Sequence, residues 1–600
     1  MTQAEPPAEV IFYNTSIDIS NSGRTVLNEI QIQINNESGL EYSQLAFTYK
    51  SDDKLKIKSA QILDMQGNII KELKKSDFKK SSNYSSGSFY EDSEMIKFDL
   101  HYNRFPYQIK YLYERQTKEY YTVSNWYPYI DDEIVHQNYQ LKLSLPFDYK
   151  VNIKVQGNFD TLIENGSGQI FYTWKSIEPL SYKDEKFAPD FYDYAVHISI
   201  IPEKFVYDVS GSQRTWKEFG DWIYDLNKNL DELTFSDSYQ VKLLTDTIDN
   251  TIDKIRVLYH YLQDNTRYIN IPLGTGGMKP YPAKYVCENK YGDCKALSIY
   301  MQALLKEAGI KSYTVDIIAG DPHEELDTSM PGQFFNHVIL CVPVNGDTIW
   351  MENTSQINPF NYLGPFTQGR WALLIDSGNS HLVKIPSMDT SDVLCSSTLQ
   401  FKLENNKEAK VNLTYNVRGN VFGYYNYAHS NISEEDNKKR ILRVLNFDKA
   451  EVEKFSINKF NRDARSIKIE AEINQQNAFK NFANKTVIYP ENIGFPKMES
   501  PEEREHHLEI EYPIFKIDTF IYDISSLNYT DIKFPEDKFI KSEFGRYKCN
   551  TRQSGSEIVH IKLLQINRGK YPKIKYPDFY SWIESSKDFD KDFKIILTNN

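Results

Sequence analysis

From residue 9 to about 205 apolar and polar positions alternate one for one. Ile30-Gln31-Ile32-Gln33-Ile34 is the cleanest run, and Tyr139, Leu141, Leu143 and Leu145 repeat it with polar residues between them. A period of two turns one face of a strand to the core and the other to water. Antiparallel sheets packed as a sandwich are therefore expected. Asp64-Met65-Gln66-Gly67-Asn68 reads as a turn between two strands, and the Ser-rich stretch from Ser81 to Ser88 as a loop. Near residue 210 the period changes. Trp216, Phe219, Trp222, Ile223, Leu226 and Leu230 fall at helical spacing, as do Ile252, Ile255, Leu258, Tyr259 and Leu262. An irregular stretch rich in Gly and Pro runs from Asn270 to Tyr285. A third helix is predicted from Cys294 to Ala308, with Leu297, Met301, Leu304 and Leu305 on one face and Gly309 as its stop. Strands are predicted at 311–318, 337–344, 348–352 and 371–375. From Ser387 the alternation returns, as in 397–403 and 409–415, broken by one helical interlude from Glu434 to Phe447. The pattern predicts a multidomain α+β chain. An amino-terminal antiparallel β-sandwich-like domain spans 1–207, a central α+β core spans 208–386, and a carboxy-terminal β-rich domain of one or two subdomains spans 387–600.

Length and composition sharpen this. A chain of 600 residues is too long for a single core. Its 43 Tyr and 34 Phe suit strands better than helices, which agrees with two β-rich flanks. A formal charge of −13 argues against nucleic acid as a partner, since a polyanion is held by clustered Lys and Arg. The basic run from Lys71 to Lys80 is interrupted by acids and Ser and reads as a solvated loop. No apolar run approaches 20 residues, so no transmembrane helix is expected. The first residues, Met-Thr-Gln-Ala-Glu-Pro-Pro, lack the basic and apolar regions of a signal peptide. That leaves a cytoplasmic protein or one whose export signal is missing from this sequence. The cysteines are 287, 294, 341, 395 and 549, few and odd in number, which excludes a dense disulfide framework. No zinc-ligand spacing occurs, and no cofactor or metal is expected.

Three residues carry chemistry. Cys294 follows a Gly292-Asp293 turn at the head of the third predicted helix. A thiolate is the reactive form of cysteine. The positive end of a helix dipole favours it, with Asp293 as N-cap and Lys295 as a nearby cation. An arbitrary cysteine is a small buried apolar residue; the helix-start position and the downstream residues point the other way for Cys294. Asn345-Gly346 is a strong two-residue hairpin signal. With that turn Val344 pairs with Asp347, and Ile339 falls opposite Glu352. His337 is then a diagonal neighbour of Glu352 on the same face. The alternative is a His–Glu pair on a wet face. Other motifs are weaker. Leu273-Gly-Thr-Gly-Gly-Met-Lys279 lacks the residues of a phosphate cradle and reads as a loop bordering the cleft. Asp321-Pro-His-Glu-Glu325 and His506-His507 read as solvated.

Tyr291-Gly-Asp-Cys-Lys295, Phe335-Asn-His337, Trp350-Met-Glu-Asn-Thr354 and Phe366-Thr-Gln-Gly-Arg-Trp-Ala-Leu-Leu374 together resemble the transglutaminase-like superfamily. More narrowly the chain is similar to bacterial multidomain proteins, common in Bacteroidetes, in which two β-rich domains of unknown function flank such a core. The resemblance implies a papain-like core with Cys294 as nucleophile, His337 as general base and acid, and Glu352 as the orienting carboxylate. Many superfamily members carry Asp at the third position; the diagonal placement absorbs the extra methylene of Glu. The Cys294 backbone N–H is the first oxyanion donor and Tyr285 the candidate for the second, with Gly292, Asp293 and Asn336 at the cleft. The resemblance also implies export to the periplasm or cell surface. Three functions stay open at this point. They are a cysteine-dependent amidase or peptidase acting on peptide or protein, cell-wall peptide included; a non-catalytic scaffold for peptide or glycan; and a protein cross-linking enzyme. Hydrolysis is preferred over cross-linking, because nothing marks a calcium-activated enzyme. Oligomeric state is open.

Overall fold

The computed structural model describes residues 6–50, 53–82, 93–166, 168–270, 277–320, 324–404, 406–445, 447, 449–491 and 493–599. In the amino-terminal third the alternating segments form one long sheet. Its strand order is Phe159–Gly166, Gln169–Ser176, Tyr139–Pro146, Ala8–Ser20, Gly23–Ile34, Tyr107–Thr117, Lys54–Leu63 and Ile69–Glu72. The arrangement departs from all-antiparallel at one place. Ala8–Ser20 runs parallel to Tyr139–Pro146 and to Val135–His136. The chain reaches those strands by a long connection from residue 117 rather than by a hairpin, and only a long connection allows parallel pairing. Two three-stranded sheets cover the long one. Tyr49, Ile96 and Phe98 pack on Ile30, Ile32 and Ile109, while Trp126, Ile198 and Ile200 pack on Ile17, Leu141 and Leu143. The layered, sandwich-like domain follows from the period of two.

A hairpin, Lys204–Tyr207 with Val209–Ser212, leads into the core. Its Phe205 and Tyr207 share one buried cluster with Phe219, Trp222, Phe335 and Leu373, so the first domain and the core are welded through apolar side chains. The core has helices Trp216–Asn227, Phe235–Thr245, Thr251–Asn265, Ala283–Asn289 and Cys294–Glu307. Phe235–Thr245 is absent from the pattern-based reading. Phe235, Tyr239 and Leu243, at helical spacing, are all exposed, so the stripe that marks a helix does not coincide with its buried face. The core sheet has strand order Asp347–Met351, His337–Val344, Tyr313–Ile317, Trp371–Leu374 and His381–Lys384, antiparallel throughout. Helix Cys294–Glu307 lies against it, packing Leu297, Met301, Leu304 and Leu305 with Leu340, Val342 and Met351.

The carboxy-terminal part is built on an eight-stranded sheet and a four-stranded sheet. Helix Glu434–Leu445 is the expected interlude; Phe422–Asn431 and the 17-residue Tyr576–Asp592 are additional. The two flanking parts also grip each other. Arg504 donates to the Lys186 carbonyl at 3.0 Å, lies 3.5 Å from Glu185 and stacks over Tyr576, while Phe187 meets Phe579 edge-on. His506 and His507 are half-buried, not solvated: the His506 ring stacks on Tyr194 at 3.7 Å. Residues 83–88 of the Ser-rich loop, 273–276 of the glycine loop and 321–323 of the Asp321–Glu325 motif lie outside the described residues.

Candidate active site

Cys294 is the first residue of its helix. Asp293 caps it, accepting from the Ala296 N–H at 2.9 Å, and Gly309 in the left-handed conformation (φ 73°) closes the far end. The other carboxylate oxygen of Asp293 holds Lys295 Nζ at 2.5 Å, so the lysine is bound to the cap. Gly292 is required by packing. A methyl group there would meet the Ala296 Cβ at 2.9 Å and Val286 Cγ2 at 3.3 Å. Its carbonyl accepts from the Ile269 N–H at 2.9 Å, and across this short parallel pair Tyr268 lies opposite Gly292. Together these contacts fix the backbone that delivers the thiol, which is 7% exposed.

The hairpin turns at Asn345 (φ 54°) and Gly346 (φ 82°), and Val344 pairs with Asp347 as the two-residue turn requires. Leu340 pairs with Met351, which brings the next residue, Glu352, to the level of Ile339 and diagonal to His337. His337 Nε2 lies 2.8 Å from Glu352 Oε2. Glu352 Oε1 accepts from the Thr354 N–H at 3.1 Å and from its hydroxyl at 2.6 Å, so both carboxylate oxygens are used. Burial pulls the Glu352 carboxyl upward, but the His337 charge and the hydrogen bonds from His337 and Thr354 outweigh it and hold it below its ordinary value. His337 mirrors this. Burial alone would lower it; the Glu352 charge and hydrogen bonds with Cys294 and Glu352 raise it to about 10. The imidazole thus binds the carboxylate and lies within electrostatic reach of Cys294. With Nε2 committed to Glu352, Nδ1 is the ring nitrogen left for sulfur. Phe366 packs edge-on against the imidazole at 5.6 Å.

Two of the residues assigned to the cleft do other work. Asn336 Nδ2 donates to the Ala319 carbonyl at 2.8 Å and its Oδ1 accepts from the Ala319 N–H at 2.6 Å, so the side chain extends the sheet by one backbone-like pair. Tyr285 donates to the Tyr291 hydroxyl at 2.9 Å and stacks on Tyr281 at 4.7 Å. Three residues beside the site escape the sequence reading. Thr354 locks Glu352. Tyr268 is 44% exposed, and its hydroxyl is raised to about 12, by burial first and then by the charges of Cys294 and Asp293. Asp316 is a buried carboxyl raised to about 7 by desolvation, partly offset by Lys295 and His337. The sequence did hold a signal for it: one acid between Val315 and Ile317 in the strand Tyr313–Ile317. Among the described residues no group of three or more His, Cys, Asp or Glu side chains could hold a metal.

Comparison with known proteins agrees with this architecture. Residues 240–354 match the transglutaminase-like superfamily, and form a core flanked by two domains of unknown function, DUF3857 at 22–179 and DUF3858 at 482–597. No curated protein matches the chain. A crystal structure from Parabacteroides distasonis ATCC 8503, described as a candidate protease, shares the fold. It has 14% identity and a TM-score of 0.65, covering 98% of this chain and 99% of that one. A Legionella pneumophila aminopeptidase A in complex with aspartic acid overlaps only in part, with 13% identity, TM-score 0.20, and 34% and 22% of the two chains; it carries no argument.

Proposed function

We propose that the transglutaminase-like core works as a cysteine-dependent amide hydrolase or acyl transferase on peptide or protein, with Cys294, His337 and Glu352 as its triad. The observation that carries this reading is the position of one imidazole, hydrogen-bonded to Glu352 at 2.8 Å and close enough to Cys294 for the sulfur to help raise it. In the proposed reaction the thiol proton is already held on the raised imidazole of His337, and the sulfur attacks the amide carbonyl as the thiolate. The resulting oxyanion is received by the Cys294 N–H, which as the first residue of a helix has no i−4 partner. Tyr268, opposite Gly292, is better placed than Tyr285 to be the second donor. The imidazolium then protonates the leaving amine, and water resolves the thioester through the same nitrogen. Glu352, locked by Thr354, holds the ring orientation and stabilises its cation. Hydrolysis is the preferred outcome. The scaffold reading is the alternative, and a thiol facing away from the imidazole would favour it.

We propose that the protein acts in the periplasm or at the cell surface, the location the family resemblance implies. No helix among the described residues is long and apolar enough to cross a membrane. The function is tested by incubating a peptide library with the protein and with Cys294→Ala and reading products by mass spectrometry. Water-addition products that require Cys294 are expected, with amine incorporation as the mark of a cross-linking enzyme. Identical product sets from the two proteins would remove the activity.

A further inference from the structure

A cavity of about 280 Å³ lies between the amino-terminal domain and the core, lined on the core side by residues of the segment 318–334 that precedes His337. Its wall includes Tyr127, His197 and Asp193 from the first domain and Glu324 and Phe334 from the core. The wall also carries donors, but Lys154 is spent on Asp327 and Gln156 Nε2 on the carbonyls of Asp193 and Ala195. His197 is 7% exposed, and its Nδ1 lies 2.9 Å from the Ala195 carbonyl. A carbonyl only accepts, so Nδ1 carries the proton; burial also keeps the ring neutral. Nε2 is therefore a lone pair, with no partner among the described residues. Asp193 accepts one backbone N–H, from Glu325 at 2.9 Å, and among the described residues neither Asp193 nor Glu324 makes an ion pair. The other acids of the cavity are already neutralised: Asp327 by Lys154 at 2.5 Å and Glu325 by Lys570 at 3.0 Å. Arg370, the nearest cation felt by Glu324, spends its guanidinium on the carbonyls of Ile318, Gly320 and Pro365. The aromatic component is Tyr127, stacked on His197 at 5.0 Å and met edge-on by Tyr192 at 5.4 Å.

Two desolvated carboxylates without a cation, one neutral lone pair and an aromatic face are what an alkylammonium or guanidinium group needs. We propose that this cavity binds the cationic side chain of a lysine- or arginine-bearing peptide, as a specificity subsite of the active centre; its use as a subsite rests on the activity proposed above. Connectivity supports the link. Phe334 in the cavity wall is three residues from His337, at most roughly 10 Å along an extended chain. Ile318, which also lines the cavity, leads through Ala319 to Gly320, whose N–H donates to the carbonyl of Phe366, the ring packed on His337. Two to three residues of an extended substrate span roughly 7–10 Å, the same order as the chain separation between Phe334 and His337.

The test uses the full chain carrying Cys294→Ala, so that binding is read without turnover. Four peptides, Ac-Ala-Ala-Xaa-Ala-Ala-NH2 with Xaa lysine, arginine, Nε-acetyl-lysine or norleucine, are titrated by NMR or calorimetry. The lysine or arginine peptide is expected to bind at least about tenfold tighter than the two uncharged ones. The additional changes Glu324→Gln and Asp193→Asn each erase most of that preference, and comparison of the lysine and arginine arms names the cation. Equal affinity for charged and uncharged peptides, no binding of the charged ones at millimolar concentration, or a preference untouched by both substitutions overturns the subsite. If the cationic preference holds while no Cys294-dependent product is ever found, the cavity stands and only the catalytic reading falls.

Discussion

At the scale of single residues the account is a claim about charge. His337 is raised to about 10 and Glu352 is held below its ordinary value, each chiefly by the other once burial is overcome. The stability contributed by His337 is full below its ordinary value of 6.5 and is lost as the pH rises through about 10. That of Glu352 is present above its ordinary value of 4.5 and is lost as the pH falls through the lowered folded value. Urea unfolding between pH 6 and 10.5 should show a falling stability that His337→Gln flattens; parallel curves for the two proteins would mean the imidazolium is not formed. Glu352→Gln should leave the fold intact and slow Cys294-dependent turnover by about 10²–10⁴-fold. Glu352→Asp should fall between, because the diagonal contact was reached with the longer side chain. A Glu352→Gln variant as fast as the parent would remove the carboxylate from the mechanism. The positions of the proposed triad were legible in the sequence because each member sits in a local rule: a helix start, a strand head, a two-residue turn. Asn336 and Tyr285 were misassigned because their partners, Ala319 in one case and the Tyr281–Tyr291 pair in the other, are set by the folded backbone.

Among elements, the nucleophile helix and the hairpin do the positioning. Gly292 leaves no room for a side chain against Ala296 and Val286, so Gly292→Ala should destabilise by about 1–3 kcal/mol and displace the thiol as well. The check is denaturant unfolding alongside the Cys294 alkylation rate, and an unchanged rate would show that this backbone is not what sets the sulfur. Gly346 has open space around it, so Gly346→Ala is predicted to cost only the left-handed backbone, about 1–2 kcal/mol, with the triad register kept. The element boundaries at Asp293 and Gly309 could be read from residue type alone. Helices Phe235–Thr245 and Tyr576–Asp592 could not, the first because its apolar residues face outward. The second packs Phe579, Trp582 and Ile583 into a core shared with strands far away in sequence.

For the whole molecule, the order β-rich, α+β, β-rich was visible in the changing period of apolar residues. We propose its divisions at 207/208 and 386/387. The grip between the flanking parts was not visible, since it is made by residues such as Lys183, Glu185, Arg504 and His506 that read as surface until the fold pairs them. Glu185 is 6% exposed and Arg504 9%, so Arg504→Ala leaves a buried carboxylate without its cation. It should cost about 3 kcal/mol and open residues 183–194 to protease. Unaltered melting and digestion would show that the contact is incidental.

The most direct measurement compares all five thiols in one molecule. Cys287, Cys294 and Cys395 are 5%, 7% and 6% exposed, so access alone predicts similar alkylation rates. Burial and a hydrogen bond to Asp237 push Cys287 up to about 11; burial pushes Cys341 to about 12 and raises Cys395 and Cys549. Site-resolved iodoacetamide labelling near neutral pH should therefore find Cys294 modified far ahead of the other four, with that lead lost in His337→Ala. Labelling of Cys294 at the pace of Cys287 and Cys395, or a lead that survives without His337, would contradict an activated nucleophile.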